Sequence, residues 1–218
     1  MKKEHLFKKH KGTDYQARAE AFSEDYKAFL TTAKTERLCV EYFEAKAKAN
    51  GFSDIAEKTD VKPGDKIYYI NRNRSAVFCV IGEEDLENGI NLVAAHIDSP
   101  RLDLKPSPVT EEGGFSYLRT HYYGGIKKYQ WVATPLALYG VVVKKNGETI
   151  KIAIGDGEND PIFMVTDLLP HLASKQMTQK MTEGIPGEKL MVLSGSNPDL
   201  DAESEEVKTA LLKILEEK

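Results

Sequence analysis

The sequence predicts an α/β first part followed by a mostly antiparallel β part. In the first part, segments with helical spacing precede a continuous apolar run at residues 76–81, of the kind that forms a strand buried on both faces. A second buried strand is expected at residues 91–95, where an apolar run follows Asn91. The second part contains an aromatic, strand-like segment at 117–123. It also contains Asn146-Gly147 between two apolar segments, a typical hairpin turn. The change in character places the domain boundary after residue 106.

Local signals define several elements of the first part. Thr35 is a good N-cap, and Asn50-Gly51 is a typical helix stop, so we expect a helix between them. A strand at 66–71 follows the turn at Pro63-Gly64. The run at 76–81 is expected to be a central strand with both faces covered.

The second part contains more strands and two helical segments. Residues 131–143 are mainly apolar with Pro135 inside, which indicates an edge strand or a bulge. Residues 150–154 form the return strand of the predicted hairpin. A helical piece is expected at 167–175, and a last helix presents Val207 and Leu211 on its apolar face.

Composition excludes some classes of function. A formal charge of -4 gives no basic surface for nucleic acid, so we expect no nucleic-acid partner. No apolar run approaches 18 residues, so no transmembrane helix and no membrane partner are expected. The N-terminus lacks the apolar stretch of a signal peptide. Cys39 and Cys79 lie in patterns that favour buried, reduced thiols, which predicts a cytoplasmic protein.

The candidate site follows the second apolar run. His96 directly follows the apolar residues 92–95, and Asp98 comes two residues later. In an extended chain these two side chains point to the same side, so the carboxylate could orient an imidazole that binds a metal. The alternative is a histidine at a strand end and an aspartate that caps the next turn.

The longer string that contains His96 is more specific. It resembles the first metal motif of the aspartyl aminopeptidase family of zinc metallopeptidases, and it looks closest to the clostridial-type bacterial branch. The resemblance extends from about Ala33 to the end of the chain. It rests on five stretches: Ala95-His96-Ile97-Asp98-Ser99-Pro100-Arg101-Leu102-Asp103-Leu104-Lys105-Pro106, His121-Tyr122-Tyr123-Gly124-Gly125, Gln130-Trp131, Pro135-Leu136-Ala137-Leu138 and Leu169-Pro170-His171-Leu172.

The resemblance implies a fold and a reaction. Residues 1–106 would be the N-terminal part of an α/β/α zinc-peptidase catalytic domain. Residues 107–218 would be the inserted, mostly antiparallel β dimerisation domain with short helices. Family members carry two zinc ions per active site and remove the N-terminal residue of a peptide, so a peptide substrate and a homo-oligomer are implied.

The resemblance also implies roles for three residues. His96 corresponds to a zinc ligand, and Asp98 to the catalytic-site carboxylate that orients it. His171 corresponds to a histidine that one subunit offers to the active site of its neighbour, although a helix-cap or core role is an open alternative. His121 stays unassigned.

This chain departs from the family pattern in one respect. The family's other metal ligands and its general base lie downstream of the inserted domain, and nothing in these residues matches them. We therefore expect a metallo-aminopeptidase portion that is inactive by itself and is completed by a C-terminal half. One alternative is a non-catalytic module that acts in dimerisation or assembly. Another is a one-metal hydrolase that uses Asp103 and His121.

Overall fold

A computed structural model describes residues 4–217. The chain forms two compact units, the first ending at Ser99 and the second beginning at Pro100. The predicted boundary after residue 106 falls inside a strand, Arg101–Glu112, which pairs with the second unit. That pairing explains why the units divide earlier than the composition indicates.

The first unit places helices beside a small sheet. The elements are α1 (Leu6–Lys9), α2 (Tyr15–Thr32), α3 (Glu36–Ala49), β1 (Ser53–Asp54), β2 (Lys66–Asn71) and β3 (Ser75–Val80). The strands have the order β1-β2-β3, with β1 parallel and β3 antiparallel to β2.

Helix α3 begins and ends where the sequence predicts. The Thr35 hydroxyl accepts a hydrogen bond from the Leu38 amide at 3.3 Å, which satisfies one of the free donors of the first turn. Gly51 follows the helix with φ of 80°, a conformation that favours glycine. The helix buries Cys39, Val40 and Ala47.

Strand β3 is a correction to the sequence prediction. It was expected to be a central strand covered on both faces, but it is the edge strand of its sheet. Phe78 lies within 6.3 Å of Tyr68 and 6.5 Å of Phe43, ring centre to ring centre, so one face of β3 is packed. Val77 and Cys79, on the other face, are exposed, and the prediction of a buried thiol at Cys79 is therefore wrong.

The second unit is built mainly from strands. The elements are β4 (Arg101–Glu112), β5 (Phe115–Tyr123), β6 (Pro135–Leu136), β7 (Leu138–Val143), β8 (Thr149–Ile154), β9 (Phe163–Val165), α4 (Ser174–Met177), β10 (Val192–Gly195) and α5 (Glu206–Glu217). Five of the strands form a sheet of order β4-β5-β10-β9-β6, in which every neighbouring pair is antiparallel. The mostly antiparallel second part is thus confirmed.

The backbone properties of a glycine and a proline explain two features of this unit. Strands β7 and β8 form the predicted hairpin, with Gly147 at φ of 87° in the turn. Pro135 lies in β6 at the edge of the large sheet, where its missing N–H removes no ladder bond that a central strand would need.

The core of the second unit is a single cluster. The sheet, the β8 end and α5 meet there, and α5 contributes Leu211 as predicted. The buried members are Leu118, Ile154, Phe163, Val165, Ile185, Leu190, Val192 and Leu211.

The helix predicted at 167–175 is wrong over most of its length. Only α4, Ser174–Met177, is helical there. Pro170 explains the difference, because it has no N–H to donate and disfavours helical geometry at Leu169. Asp167 adds a local alternative, since its carboxylate accepts from the Leu168 amide at 2.8 Å.

Candidate metal centre

The run of residues 90–95, which is apolar except for Asn91, leads directly to His96. Gly89, with φ of 109°, precedes it. The run was predicted to include a buried strand at 91–95, but it has no regular secondary structure. The side chains of Ile90, Leu92 and Val93 are 68%, 76% and 95% exposed. The buried-strand prediction is therefore wrong for the residues described here, which place no neighbouring strand beside the run.

His96 and Asp98 are in contact at the end of this run. The Nδ1 atom of His96 lies 3.2 Å from a carboxylate oxygen of Asp98 and 3.0 Å from its backbone oxygen. Both neighbours are acceptors, so they favour the tautomer that carries the proton on Nδ1. The lone pair is then on Nε2, the atom left to bind a metal.

Exposure sets what this pair can do. The His96 side chain is 83% exposed, whereas that of Asp98 is 37% exposed. An outward imidazole with a carboxylate behind it suits one zinc ligand. A catalytic zinc needs about three protein ligands. Residues 4–217 contain no cluster of three or more His, Cys, Asp or Glu side chains suited to a metal. The geometry therefore fits one part of a metal site.

His171 lies in a turn of the second unit. The Leu172 amide donates a hydrogen bond to the Leu169 carbonyl at 2.9 Å, and the Ala173 amide donates one to the Pro170 carbonyl at 3.2 Å. His171 is exposed, so the core alternative for it is wrong. It lies outside α4 and does not cap it, since Ala173 occupies the N-cap position.

Exposed leucines surround His171 in the chain, a feature that the sequence prediction of a helix missed. Leu168, Leu169 and Leu172 are all exposed. The available signal was Pro170, which makes a helix with a buried apolar side improbable at this point. The turn instead presents apolar side chains and an imidazole together.

Asp103 and His121 are opposite each other in the β4–β5 ladder. The Asp103 carboxylate accepts a hydrogen bond from the Arg101 guanidinium at 2.7 Å, and that guanidinium lies 3.9 Å over the Tyr123 ring. His121 stacks on Tyr122 with ring centres 5.6 Å apart. Asp103 is thus engaged by a cation within its own strand, which gives no support to the one-metal alternative.

Comparison with known proteins supplies the family. The model of the Aminopeptidase I zinc metalloprotease (M18) family matches residues 29–218. The chain belongs to this M18 family, and the predicted family resemblance is confirmed. No helix among residues 4–217 is both long and apolar enough to cross a membrane.

Bacterial relatives are similar over most of this chain. A probable M18 family aminopeptidase 1 from Borrelia garinii subsp. bavariensis is 52% identical over 198 residues, which is 90% of this chain and 43% of that protein. One from Clostridium acetobutylicum is 45% identical over 203 residues, 91% of this chain and 44% of that protein. The chain therefore spans less than half the length of these curated relatives.

Solved structures share the mixed α/β fold. The crystal structure of an M18 aminopeptidase from Thermotoga maritima matches with a TM-score of 0.89 at 40% identity, and it covers 100% of this chain and 47% of its own. The S. cerevisiae mApe1 dodecamer matches with a TM-score of 0.62 at 17% identity, over 84% of this chain and 40% of its own. At that identity the likeness concerns the fold alone.

Proposed function

We propose that this chain is the N-terminal portion of a two-zinc aminopeptidase that hydrolyses the first peptide bond of a peptide. The observation that carries the proposal is the His96–Asp98 contact, in a chain whose residues 29–218 match the M18 zinc metalloprotease model. A zinc pair, when bound, supplies Lewis-acid chemistry for peptide hydrolysis. The remaining ligands and the general base would come from the part of the full-length family sequence that this chain does not match.

The residues of this chain have distinct tasks in that reaction. His96 would hold one zinc through Nε2. Asp98 would keep the imidazole in the required tautomer and orientation. Removal of such a carboxylate typically lowers the metal affinity by about 10- to 100-fold. His171, exposed on its turn, would donate a hydrogen bond to the substrate carbonyl in the neighbouring subunit.

The ligand role of His96 can be tested by metal content. The chain would be co-expressed with the part of the Borrelia garinii relative that it does not match, and zinc would be measured by mass spectrometry. We expect His96→Ala to lower zinc content and to abolish turnover of leucyl and aspartyl substrates. The matched control is His121→Ala, which should retain both. Full zinc occupancy in His96→Ala would contradict the assignment.

The role of His171 in a neighbouring subunit is tested by mixing. Two inactive forms of the co-expressed complex, one with His96→Ala and one with His171→Ala, are dissociated into subunits and combined. If one subunit supplies His171 to the metal site of another, a mixed assembly contains some intact sites and regains part of the activity. No recovery in mixtures shown by mass to contain both subunits would rule out this role.

Homo-oligomer formation through the second unit is also proposed. The exposed leucines around His171 support it, because contiguous apolar surface commonly marks an interface. The second candidate function, a non-catalytic assembly module, is favoured by the same leucines and by the self-contained core of this unit. If the chain forms a stable oligomer but gains neither zinc nor turnover when it is co-expressed with the unmatched part of the Borrelia garinii relative, the assembly module is the better description.

A cytoplasmic location is proposed from the cysteines. Cys39 and Cys79 are both free thiols, which suits a reducing compartment. Immunodetection after cell fractionation tests this location, and recovery in a membrane or secreted fraction would contradict it.

A further inference from the structure

Two methionines are exposed on the loop that follows His171. Met177 and Met181 are 66% and 64% exposed. Met164, in strand β9, and Met191, just before β10, are the other methionines among residues 4–217, and both are only partly exposed. Methionine is usually buried in a folded protein, so two well-exposed methionines four residues apart are unusual.

The loop that carries this pair is held in place. Ala173 and Ile185, on either side of the pair in the chain, are both buried. The Gln176 side chain donates a hydrogen bond to the Asp167 carboxylate at 3.0 Å, and the Met177 amide donates one to the Ala173 carbonyl at 2.8 Å. The fold therefore fixes the backbone of the loop while the thioethers remain accessible to solvent.

The same loop carries the exposed leucines around His171. The hydrogen bond between Asp167 and Gln176 draws the two halves of the loop together, because Leu168 and Met177 directly follow these two residues. Under the proposed function this surface lies against a second copy of the chain. We name it the leucine–methionine surface, and its members, each more than half exposed, are Leu168, Leu169, Leu172, Met177 and Met181.

We infer that Met177 and Met181 are an oxidation site, at which a peroxide converts both thioethers to sulfoxides and thereby weakens self-association of the chain. The effect on association rests on the proposed homo-oligomer. With hydrogen peroxide, the thioether sulfur attacks one peroxide oxygen, an S–O bond forms and the O–O bond breaks. The sulfur is oxidised by two electrons, and the hydroxide that leaves takes up the proton of the transferred oxygen as water.

A sulfoxide changes what the leucine–methionine surface offers to a second copy. It is polar and accepts hydrogen bonds, so its burial among leucine side chains without a donor is unfavourable. Each oxidised methionine removes apolar area from the contact and adds an oxygen that must lose its water. Methionine sulfoxide reductases convert the sulfoxide back to the thioether, so the effect is reversible.

Peptide mass spectrometry after treatment with hydrogen peroxide tests the site itself. In the dilute chain, Met177 and Met181 should be oxidised at least about fivefold faster than Met164 and Met191. Their oxidation should slow at protein concentrations at which the chain associates, because the contact then covers them. The experiment uses Cys79→Ser, since Cys79 is an exposed thiol that also reacts with peroxide.

Sedimentation velocity tests the effect on association. Oxidation should raise the dissociation constant for self-association at least about tenfold, and methionine sulfoxide reductases A and B should restore it. The double variant Met177→Leu/Met181→Leu keeps an apolar surface, so it should associate normally and resist peroxide. The matched control Met164→Leu/Met191→Leu should remain sensitive to peroxide.

Several results would overturn the inference. These are equal oxidation rates at all four methionines, normal association of the oxidised chain, and loss of association when Met177→Leu/Met181→Leu is treated with peroxide. A chain that stays monomeric before any oxidation would refute the proposed homo-oligomer and the inference with it. An oligomer that forms but does not respond to oxidation would refute the inference alone and leave the proposed function in place.

Discussion

Glu111 provides the sharpest test of the packing in the second unit. One of its carboxylate oxygens accepts hydrogen bonds from the amides of Val207 and Lys208, at 3.0 and 2.9 Å. These amides belong to the first turn of α5, whose N–H groups have no partner within the helix. Strand β4 therefore caps a helix that is distant in the chain. Glu111→Ala removes both bonds and the negative charge.

The size of the effect follows from these contacts. Loss of a cap costs about 1 kcal/mol, a hydrogen bond to a charged group contributes roughly 1.5–3 kcal/mol, and a charge at a helix N-terminus contributes roughly 0.3–1 kcal/mol. These contributions overlap, so we expect Glu111→Ala to lower the free energy of unfolding by about 2 kcal/mol. Glu111→Gln keeps an acceptor oxygen and should lose about 1 kcal/mol.

Urea unfolding monitored by tryptophan fluorescence measures this loss. Trp131 is the only tryptophan, and it packs against the core of the second unit. With an m-value of about 2 kcal/mol/M, the midpoint should fall by about 1 M urea in Glu111→Ala.

The control is Glu112→Ala, because Glu112 is the next strand residue, points to the other face and is exposed. It should change the midpoint little. Equal midpoints for the two alanine variants would refute the capping argument.

Three further predictions concern packing, pH and a local cap. A Cβ on Gly187 would lie 2.7 Å from a ring carbon of Tyr122, so Gly187→Ala should lower the free energy of unfolding in urea by about 1–3 kcal/mol, and by less in a Tyr122→Ala background. The hydrogen bond from Lys213 holds the pKa of Asp199 below its usual 3.8, so this carboxylate stabilises the fold above about pH 4 and loses that effect as pH falls further. Lys213→Met should therefore flatten the fall of the urea midpoint below pH 4, and an unchanged slope would contradict the pairing. Thr35→Ala should speed amide exchange in α3 by the equivalent of about 1 kcal/mol, whereas Thr35→Ser should not.

Much of the local structure was predictable because short stretches of sequence carry its cause. Thr35 caps α3 through its own hydroxyl, and Gly147 adopts the positive φ that the β7–β8 turn requires. Pro135 lies at a sheet edge because a proline cannot donate to a central ladder. The pairing of His96 with Asp98 likewise involves residues two apart in the chain.

Features that depend on distant partners were not predictable. The run at 90–95 has the composition of a buried strand, but burial requires neighbours, and the described residues supply none. In the sequence Glu111 is an ordinary acidic residue of a predicted strand. It caps α5 only because the fold brings β4 and the start of α5 together. The helical spacing at 167–175 is overridden at Pro170, whose backbone chemistry outweighs the side-chain pattern.

The sequence by itself therefore determined the family and the local caps and turns, and it predicted which side chains could hold a metal. Only the tertiary structure decided that β3 is an edge strand, that the run before His96 is exposed, and that His171 lies on an exposed turn. The physical reason is the range of the interactions. Backbone conformations and caps depend on neighbouring residues, whereas strand pairing and burial depend on groups elsewhere in the chain or in a partner.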